Sequence, residues 1–309
     1  MGELLSTLVG IFVPLFAVSN MLTVGFRYPV RAIVEPLRDI LGVITAVVAN
    51  FVLVPLLAIG ILRLIPLETP MATGLIVVAS AAGAPLVIRL TQAAREDVAF
   101  AASILVLLLL VTMIYLPLVI PRLAPEGVSI SVMSISRPLL MTMLLPLFIA
   151  FILKALWPRL AHRLLPWVGK IANIALYIMI AATVLGNLNK VIGVFGTGAI
   201  LAALLLIAGA FIIGYLIGTV DKEEKIVLGF ATAQRNFAAA NVVAIQSFAN
   251  PDMLVMTVVC STVAMLLIPF SVLLGKRKAK IETLKNKDGE KQRRCRERII
   301  GGSKDRSST

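Results

Sequence analysis

The chain has 309 residues, of which 59% are hydrophobic and only 15% are charged, and its mean hydropathy is +0.99. An average soluble domain is roughly 45 to 50% apolar, so this chain has too little polar surface to coat a water-soluble globule of its length. The composition excludes a cytosolic enzyme. It predicts a protein that crosses the bilayer many times, because one crossing helix takes about 20 apolar residues.

Apolar runs bounded by charges, proline and glycine predict nine transmembrane helices. We place them near residues 4–26, 38–62, 70–94, 98–121, 138–156, 166–188, 196–220, 225–249 and 252–275. The fold class expected from this pattern is an all-α polytopic membrane protein. Residues 1–275 form its membrane domain, and residues 276–309 form a basic tail that we expect to be disordered and cytoplasmic.

The formal net charge of +13 is concentrated in that tail. Residues 276–309 hold 13 basic and five acidic residues, a net charge of +8. A polycationic segment beside a membrane span is typical of a cytoplasmic anchor that binds anionic lipid. We therefore expect the lipid bilayer and its anionic lipids as partners of the chain, and no nucleic acid.

The basic residues of the membrane domain are distributed unequally between alternate loops of the nine-span pattern. Eleven fall on one side, which is also the side of the tail: Arg27, Arg31, Arg38, Arg89, Arg95, Lys154, Arg159, Arg163, Lys170, Lys222 and Lys225. Four fall on the other side: Arg63, Arg122, Arg137 and Lys190. By the positive-inside rule, the amino terminus is outside and the carboxyl terminus is cytoplasmic.

The third predicted span contains the sequence Gly83-Ala84-Pro85 in its middle. We expect this triplet to break the helix, because proline lacks an N–H donor and clashes with the preceding turn. Non-helical backbone at membrane depth survives only where protein or a water-filled cavity satisfies its polar groups. The third span therefore indicates a functional interruption rather than a plain transmembrane helix.

The eighth predicted span places Thr232, Gln234, Arg235 and Asn236 within an apolar run. Each interrupted span is the second-last of its half of the chain, and the two halves have opposite orientations if the fifth span separates them. Paired interrupted helices in inverted repeats are typical of secondary transporters, whose binding site lies where the breaks meet near the midplane.

Residues for acid–base or metal chemistry are not found in the spans. All sixteen acids lie in loops, at span ends or in the tail, which argues against a cation pump, a proton relay or an intramembrane aspartyl protease. The single histidine, His162, falls in the predicted loop before the sixth span and has no partner at metal-ligand spacing. We therefore expect neither an enzyme nor a bound cofactor.

Arg235 is the exception among the span residues, because a guanidinium stays charged and its burial is costly. One interpretation is structural, with the arginine bonded to carbonyl groups freed at the opposite break. The other is that it attracts an anionic substrate, directly or through its potential. Asn20, in the first span, either lines a cavity or lies at a helix interface.

Three segments resemble the bile acid:sodium symporter family. They are ANFVLVPLLA at 49–58, ASAAGAPLV followed by AAREDVAF within 79–100, and ATAQRNFAAANVV at 231–243. The last is similar to a glycine-threonine-glycine-glutamine-arginine-asparagine variant of one prokaryotic branch. The resemblance covers residues 21 to 274. It implies a nine-helix member in a prokaryotic plasma membrane, with the first of the family's ten helices missing.

The resemblance implies two domains with a substrate cavity between them. Spans one, five and six would form a panel domain, and the other six spans would form a core domain in which the two broken helices cross. Asn50 falls where the family places an amide near its second sodium ion, and Asn236 falls where an asparagine ends the broken helix. The other sodium ligands are replaced here, by Val87, Ile88, Ala101, Leu105, Ala231 and Arg235.

These replacements argue against sodium coupling, because sodium needs several oxygen ligands. Asn50 and Gln234 remain as weak sodium candidates. We therefore predict a secondary transporter of a small organic anion that works by alternating access. The alternatives are a sodium-coupled symporter that uses backbone and amide ligands, and a membrane receptor or scaffold that transports nothing. The expected substrate-binding residues are Asn20, Ala84, Pro85, Thr232, Gln234, Arg235 and Asn236, and the expected helix-crossing residues are Gly83, Pro85, Asn50, Arg235 and Asn236.

Overall fold

The computed structural model describes residues 2–27, 40–123, 131–186, 194–218, 222–248 and 251–280. All regular structure in these ranges is helical, which confirms the predicted all-α fold class. Within the described ranges, seven helices are long and apolar enough to cross a membrane. The chain is thus a multi-pass membrane protein, whereas the count of nine crossings stays a prediction.

The helices follow the predicted spans in order. In chain order they are α1 (Gly2–Arg27), α2 (Ile40–Leu64), α3 (Thr69–Ser80), α4 (Leu86–Ala94), α5 (Val98–Leu123), α6 (Val132–Leu156), α7 (Pro158–Gly186), α8 (Ala199–Ile217), α9 (Lys222–Ala233), α10 (Phe237–Val242, continued by Val243–Ser247) and α11 (Pro251–Ala264, continued by residues 267–280). The third and eighth predicted spans are each a pair of shorter helices, α3 with α4 and α9 with α10. The ends of the second, sixth, seventh and eighth spans, at 38–39, 187–188, 219–220 and 249, lie outside the described residues.

Two predicted helix starts are wrong. Helix α6 begins at Val132, six residues before the predicted start, with the Ser131 hydroxyl accepting the Ser134 N–H at 3.1 Å as its N-cap. Helix α7 begins at Pro158, so the segment around His162 that was predicted as a loop is helical. Proline is favoured at the first position of a helix, where no intrahelical partner exists for an N–H. The basic residues of this segment lowered its apolarity without interrupting the helix.

The contacts between helices divide them into two groups: α1, α6 and α7 form one group, and the remaining helices form the other. Helix α1 packs along α7 and α6, whereas α8 packs against α9 and α2, and α11 packs against α3. The groups meet where α6 contacts α5 and the end of α10, where α1 contacts α10, and where α7 contacts α11. The panel and core domains implied by the resemblance contain the same helices, and their division stays a prediction.

Short π-helical segments interrupt α2 at Ala49–Leu53 and α6 at Leu140–Leu144. Each precedes a proline by two residues, Pro55 in α2 and Pro146 in α6. A proline leaves the carbonyl four residues before it without its helical donor. In α2 this carbonyl belongs to Phe51, and it accepts the Tyr115 hydroxyl of α5 at 2.5 Å. The π segment of α2 is thereby joined to α5.

The last helix continues to Lys280, beyond the predicted end of the ninth span at 275, and is attached to the end of α4. Lys278 Nζ lies 2.8 Å from a Glu96 carboxylate oxygen and 2.9 Å from the Arg95 carbonyl oxygen. Gly275 allows this approach, because a Cβ at that position would lie 2.0 Å from the Ala93 carbonyl oxygen. The rest of the predicted tail, residues 281–309, lies outside the described residues.

Candidate functional site

The first break separates α3 from α4 by five residues. Helix α3 ends at Ser80, residues 81–84 have no regular secondary structure, and α4 begins at Leu86. Gly83 has φ +80°, a conformation that costs other residues strain. A Cβ at Gly83 would lie 2.4 Å from the Leu109 backbone nitrogen. The break is therefore packed directly onto the backbone of α5.

Thr112 of α5 holds this break with its hydroxyl group. The hydroxyl oxygen accepts the Ala82 N–H at 2.9 Å and donates to the Ala82 carbonyl oxygen at 2.9 Å. One side chain thus satisfies both polar groups of a buried, non-helical residue, which is the condition for irregular backbone at membrane depth. This contact could not be predicted from the sequence, because a threonine in an apolar helix usually bonds within its own helix. Tyr115, one turn further on, was not predicted either, because nothing in its neighbouring residues indicates its contact with Phe51.

The second break, at residues 234–236, is bonded to the first. Asn236 caps α10, since its Oδ1 accepts the Ala239 N–H at 3.1 Å. The Asn236 backbone N–H donates to the Ala81 carbonyl oxygen at 2.8 Å. In a continuous helix that carbonyl would accept the N–H of residue 85, and Pro85 has none. Pro85 therefore leaves free the carbonyl that joins the two breaks.

Arg235 fills the space between the broken helices. Its side chain is fully buried, with 0% exposure, and all five of its N–H donors have acceptors. Nε donates to the Val78 carbonyl oxygen at 3.2 Å. One terminal nitrogen donates to Asn50 Oδ1 at 2.8 Å and to the Thr232 carbonyl oxygen at 2.9 Å. The other donates to the carbonyl oxygens of Ala79 at 2.5 Å and Asn50 at 3.4 Å.

The acceptors of Arg235 come from three helix segments. Val78 and Ala79 lie in the last turn of α3, Thr232 lies in the last turn of α9, and Asn50 lies in the π segment of α2. A helix carboxyl end carries about half a negative charge on its unpaired carbonyl groups. Two such ends therefore surround the guanidinium. This geometry provides the structural role considered for Arg235, and direct contact with a substrate would require one of these bonds to open.

The two breaks meet beside the π segment of α2, and we call this place the crossing. Asn50 and Thr232 complete it. Asn50 is fully buried, and its Nδ2 donates to the Ala46 carbonyl oxygen at 2.9 Å and to Thr232 Oγ1 at 3.2 Å. The amide is thus oriented with its oxygen toward Arg235. Of the predicted residues, Gly83, Ala84 and Pro85 lie in the first break, and Gln234, Arg235 and Asn236 lie in the second. Asn20 is half-buried on α1, and no hydrogen bond joins it to the described crossing residues.

Three buried polar atoms beside Arg235 have no hydrogen-bond partner among the described residues: Ser80 Oγ, Gln234 Oε1 and Asn236 Nδ2. Ser80 is the last residue of α3, and the other two belong to the second break. Unpaired polar atoms in a protein interior are costly, and each needs an explanation. The unused hydrogen-bonding capacity of the crossing lies in these three groups.

The residues at the expected sodium positions do not fit a sodium ion. Val87, Ile88, Ala101, Leu105 and Ala231 are all apolar and at most 5% exposed. The oxygens that do gather at the crossing are taken by the guanidinium of Arg235. In the described part of the chain, no group of three or more His, Cys, Asp or Glu residues could hold a metal ion.

A shallow, half-open cavity of about 220 Å³ lies between α5 and α6, and Met133, Arg137 and Leu140 in its wall are exposed. It is lined by Met113, Met133, Ser136, Arg137, Leu140 and Leu144. Met113 is its lining residue from α5, and it follows Thr112, the residue whose hydroxyl group binds the first break. The guanidinium of Arg137 therefore lies beside an apolar surface of methionine and leucine side chains.

Residues 14–194 match the family model described as the Sodium Bile acid symporter family. The chain belongs to this family. This confirms the resemblance inferred from the sequence segments, and it makes the protein a member of a transporter family, whose substrates are small solutes. The matched residues include the first break and Thr112.

A similar protein aligns with more of the chain than the family model does. It is the "Probable sodium/metabolite cotransporter BASS2, chloroplastic" of Oryza sativa subsp. japonica, 23% identical over 260 residues. The alignment covers 76% of this chain and 62% of the relative. The chain therefore spans less than two thirds of that relative's length.

Replacing Pro85 with alanine should reduce transport more than it reduces the amount of folded protein. Alanine restores an N–H that competes with the Asn236 N–H for the Ala81 carbonyl oxygen, so the bond between the breaks weakens. We expect a fall of about tenfold in uptake, the effect of about 1.4 kcal/mol, measured beside folded protein by size-exclusion chromatography. Pro14→Ala, within α1, is the control. Uptake at the parental rate in the Pro85 variant would show that the freed carbonyl has no role.

Proposed function

We propose that the protein carries a small organic anion across a prokaryotic plasma membrane by alternating access. The observation that carries this proposal is the direct bond between two broken helices, from the Asn236 N–H to the Ala81 carbonyl oxygen. A membrane receptor or scaffold gains nothing from two interruptions of buried backbone at one place. Transporters use such breaks to form a site near the midplane.

An anionic substrate is supported by the charges of the described residues. Arg235 lies at the crossing, and Arg137 lines the cavity between α5 and α6. The apolar lining of that cavity suits the hydrocarbon part of an organic anion. The name of the rice relative, a sodium/metabolite cotransporter, supports a metabolite as cargo.

In the proposed cycle, α1, α6 and α7 form the panel domain, and the remaining helices form the core domain. The core would move as a body against the panel, because the crossing joins α2, α3, α5, α9 and α10 by hydrogen bonds. The contacts between the two groups would be the ones that change: those of α6 with α5 and α10, of α1 with α10, and of α7 with α11. The substrate cavity would open to each side in turn.

Uptake into proteoliposomes tests the proposal. Purified protein is reconstituted, and a panel of labelled organic anions is offered with and without sodium and proton gradients. A carrier should show saturable uptake, and a preloaded unlabelled anion should accelerate entry of the labelled one by counterflow. Saturable binding without uptake would favour the receptor alternative, and uptake that neither saturates nor shows counterflow would contradict alternating access.

Orientation in the membrane provides a separate prediction, based on the eleven-to-four distribution of basic residues. Reporter fusions at Glu126 and Lys285, both outside the described residues, should report opposite sides, with Lys285 cytoplasmic. An alkaline phosphatase reporter and a fluorescent-protein reporter at each position give opposite signals on the two sides. If both fusions lie on the same side of the membrane, the nine-span topology with an external amino terminus is wrong.

A further inference from the structure

We propose that Arg235 takes the place of a bound sodium ion, so that anion transport by this protein is independent of sodium. The inference rests on the proposed function as an organic-anion carrier. It departs from the sodium named for the family and for the rice relative. The reason is that the guanidinium of Arg235 already binds the oxygens at the crossing.

The oxygens around Arg235 form the kind of ligand set that a hard cation takes. They are four backbone carbonyl oxygens and the side-chain oxygen of Asn50, all neutral, at 2.5 to 3.4 Å from guanidinium nitrogens. Hard cations prefer several oxygen ligands of this type. Here the guanidinium bonds to all five, and it is fully buried. A sodium ion could reach these oxygens only by displacing the arginine.

The charge of Arg235 is not cancelled by a carboxylate. All of its acceptors are neutral, and no acidic residue of the described chain forms an ion pair with it. The carboxyl ends of α3 and α9 offset the charge through their dipoles, as they would offset the charge of a bound ion. The crossing therefore always holds a cation, whereas an ion-coupled carrier holds one only when an ion has bound.

The unpaired donors beside Arg235 complete an environment that favours an anion. The Ser80 hydroxyl and the Asn236 Nδ2 amide group can both donate hydrogen bonds, and neither has a partner among the described residues. Both lie at the ends of half-helices adjacent to the fixed charge. Donors near a buried cation interact more strongly with an anion than the same donors in water.

Thermal unfolding of the purified protein tests sodium binding without any substrate. In detergent, the parent should have the same Tm in sodium chloride and in choline chloride at equal ionic strength. Arg235→Gln removes the guanidinium from the oxygen cluster. In choline chloride its Tm should therefore be lower than that of the parent, and the Tm should rise when sodium chloride replaces choline chloride. A parent Tm that rises specifically with sodium would overturn the inference, whether or not the glutamine variant folds.

Uptake measurements test the role of the charge. The parent should transport equally in both salts, whereas Arg235→Gln should lose about tenfold or more in choline and recover part of it in sodium. Arg235→Lys should keep part of the parental uptake, because lysine keeps the charge without the planar fork. Asn50→Asp should lower uptake per folded protein, because it keeps an acceptor 2.8 Å from the guanidinium and cancels the charge. Folded protein is measured beside uptake, since the variant also loses the amide N–H bonds to Ala46 and Thr232.

The outcomes separate this inference from the proposed function. If no organic anion is transported under any gradient, the proposed function fails, and the sodium dependence of the Tm still decides whether Arg235 replaces an ion. If the parent transports only in sodium, the proposed function holds and the inference fails. Parental uptake by Asn50→Asp would also contradict it, because the net charge at the crossing would then have no effect.

Discussion

Replacing Gly83 with alanine should destabilise the protein by about 2–5 kcal/mol and remove most of the folded protein from membranes. A φ of +80° costs a non-glycine residue about 1–2 kcal/mol. The added Cβ would meet backbone atoms of Leu109 at 2.4 and 2.7 Å, and overpacking of this kind costs about 1–3 kcal/mol. Backbone cannot rotate away as a side-chain end can. Folded protein is measured by detergent extraction and fluorescence-detected size-exclusion chromatography.

Three other glycines separate the two causes. Gly196 has φ +105° and open space around it, so alanine there should show the conformational cost alone. Gly74 is helical, and a Cβ there would lie 3.0 Å from the Met253 carbonyl oxygen and from Met256 Cβ, so alanine there should show the packing cost alone. Gly60 has open space in helix α2, and alanine there should be neutral or slightly stabilising. A Gly83→Ala variant as stable as Gly60→Ala would contradict the described packing of the break on α5.

Thr112→Val should lower thermal stability and uptake together. Valine keeps the shape of threonine and removes both hydrogen bonds to Ala82, which leaves a buried N–H and a buried carbonyl without partners. An unsatisfied buried group costs about 1–3 kcal/mol. Thr112→Ser keeps the hydroxyl and should retain most of the stability and uptake, both of which are measured on purified, reconstituted protein.

Thr73→Val is the matched control for the loss of a buried hydroxyl. Thr73 is 1% exposed, and its hydroxyl donates only to the Thr69 carbonyl oxygen of the same helix at 2.7 Å. That carbonyl already belongs to the helical ladder, so little is lost with the hydroxyl. Equal Tm values for Thr112→Val and Thr73→Val would mean that the contact with Ala82 does not hold the break in place.

The sequence was most informative where residue chemistry conflicts with a lipid environment. Proline after glycine in an apolar run predicted the first break, and a guanidinium among neutral polar residues predicted the second, because neither fits a continuous membrane helix. Helix starts were least predictable where basic residues enter a helix end, as between Trp157 and Pro166. There the periodic signal is masked by charge, although the backbone continues as a helix.

The partners of the breaks could not be predicted in the same way. Thr112 and Tyr115 have side chains that are common in apolar helices, and nothing in their neighbouring residues indicates a partner 30 or 64 residues away. Asn50 was noticed through the resemblance, but its bond to Arg235 depends on the packing of α2 beside α9. Long-range pairs of this kind follow from tertiary structure. The fold class and the broken spans follow from composition and local chemistry.

The covalent attachment of Arg235 affects the energetics of transport. A bound ion crosses the membrane with its cargo and contributes the free energy of its own gradient, but an arginine side chain stays in the protein throughout the cycle. If the arginine replaces the coupling ion and no other ion is coupled, the cargo runs down its own electrochemical gradient. For a monovalent anion in a cell with a negative interior, each 100 mV contributes about 2.3 kcal/mol toward the outside. This corresponds to about a fiftyfold concentration ratio, so a carrier with the proposed charge replacement would export such an anion rather than accumulate it.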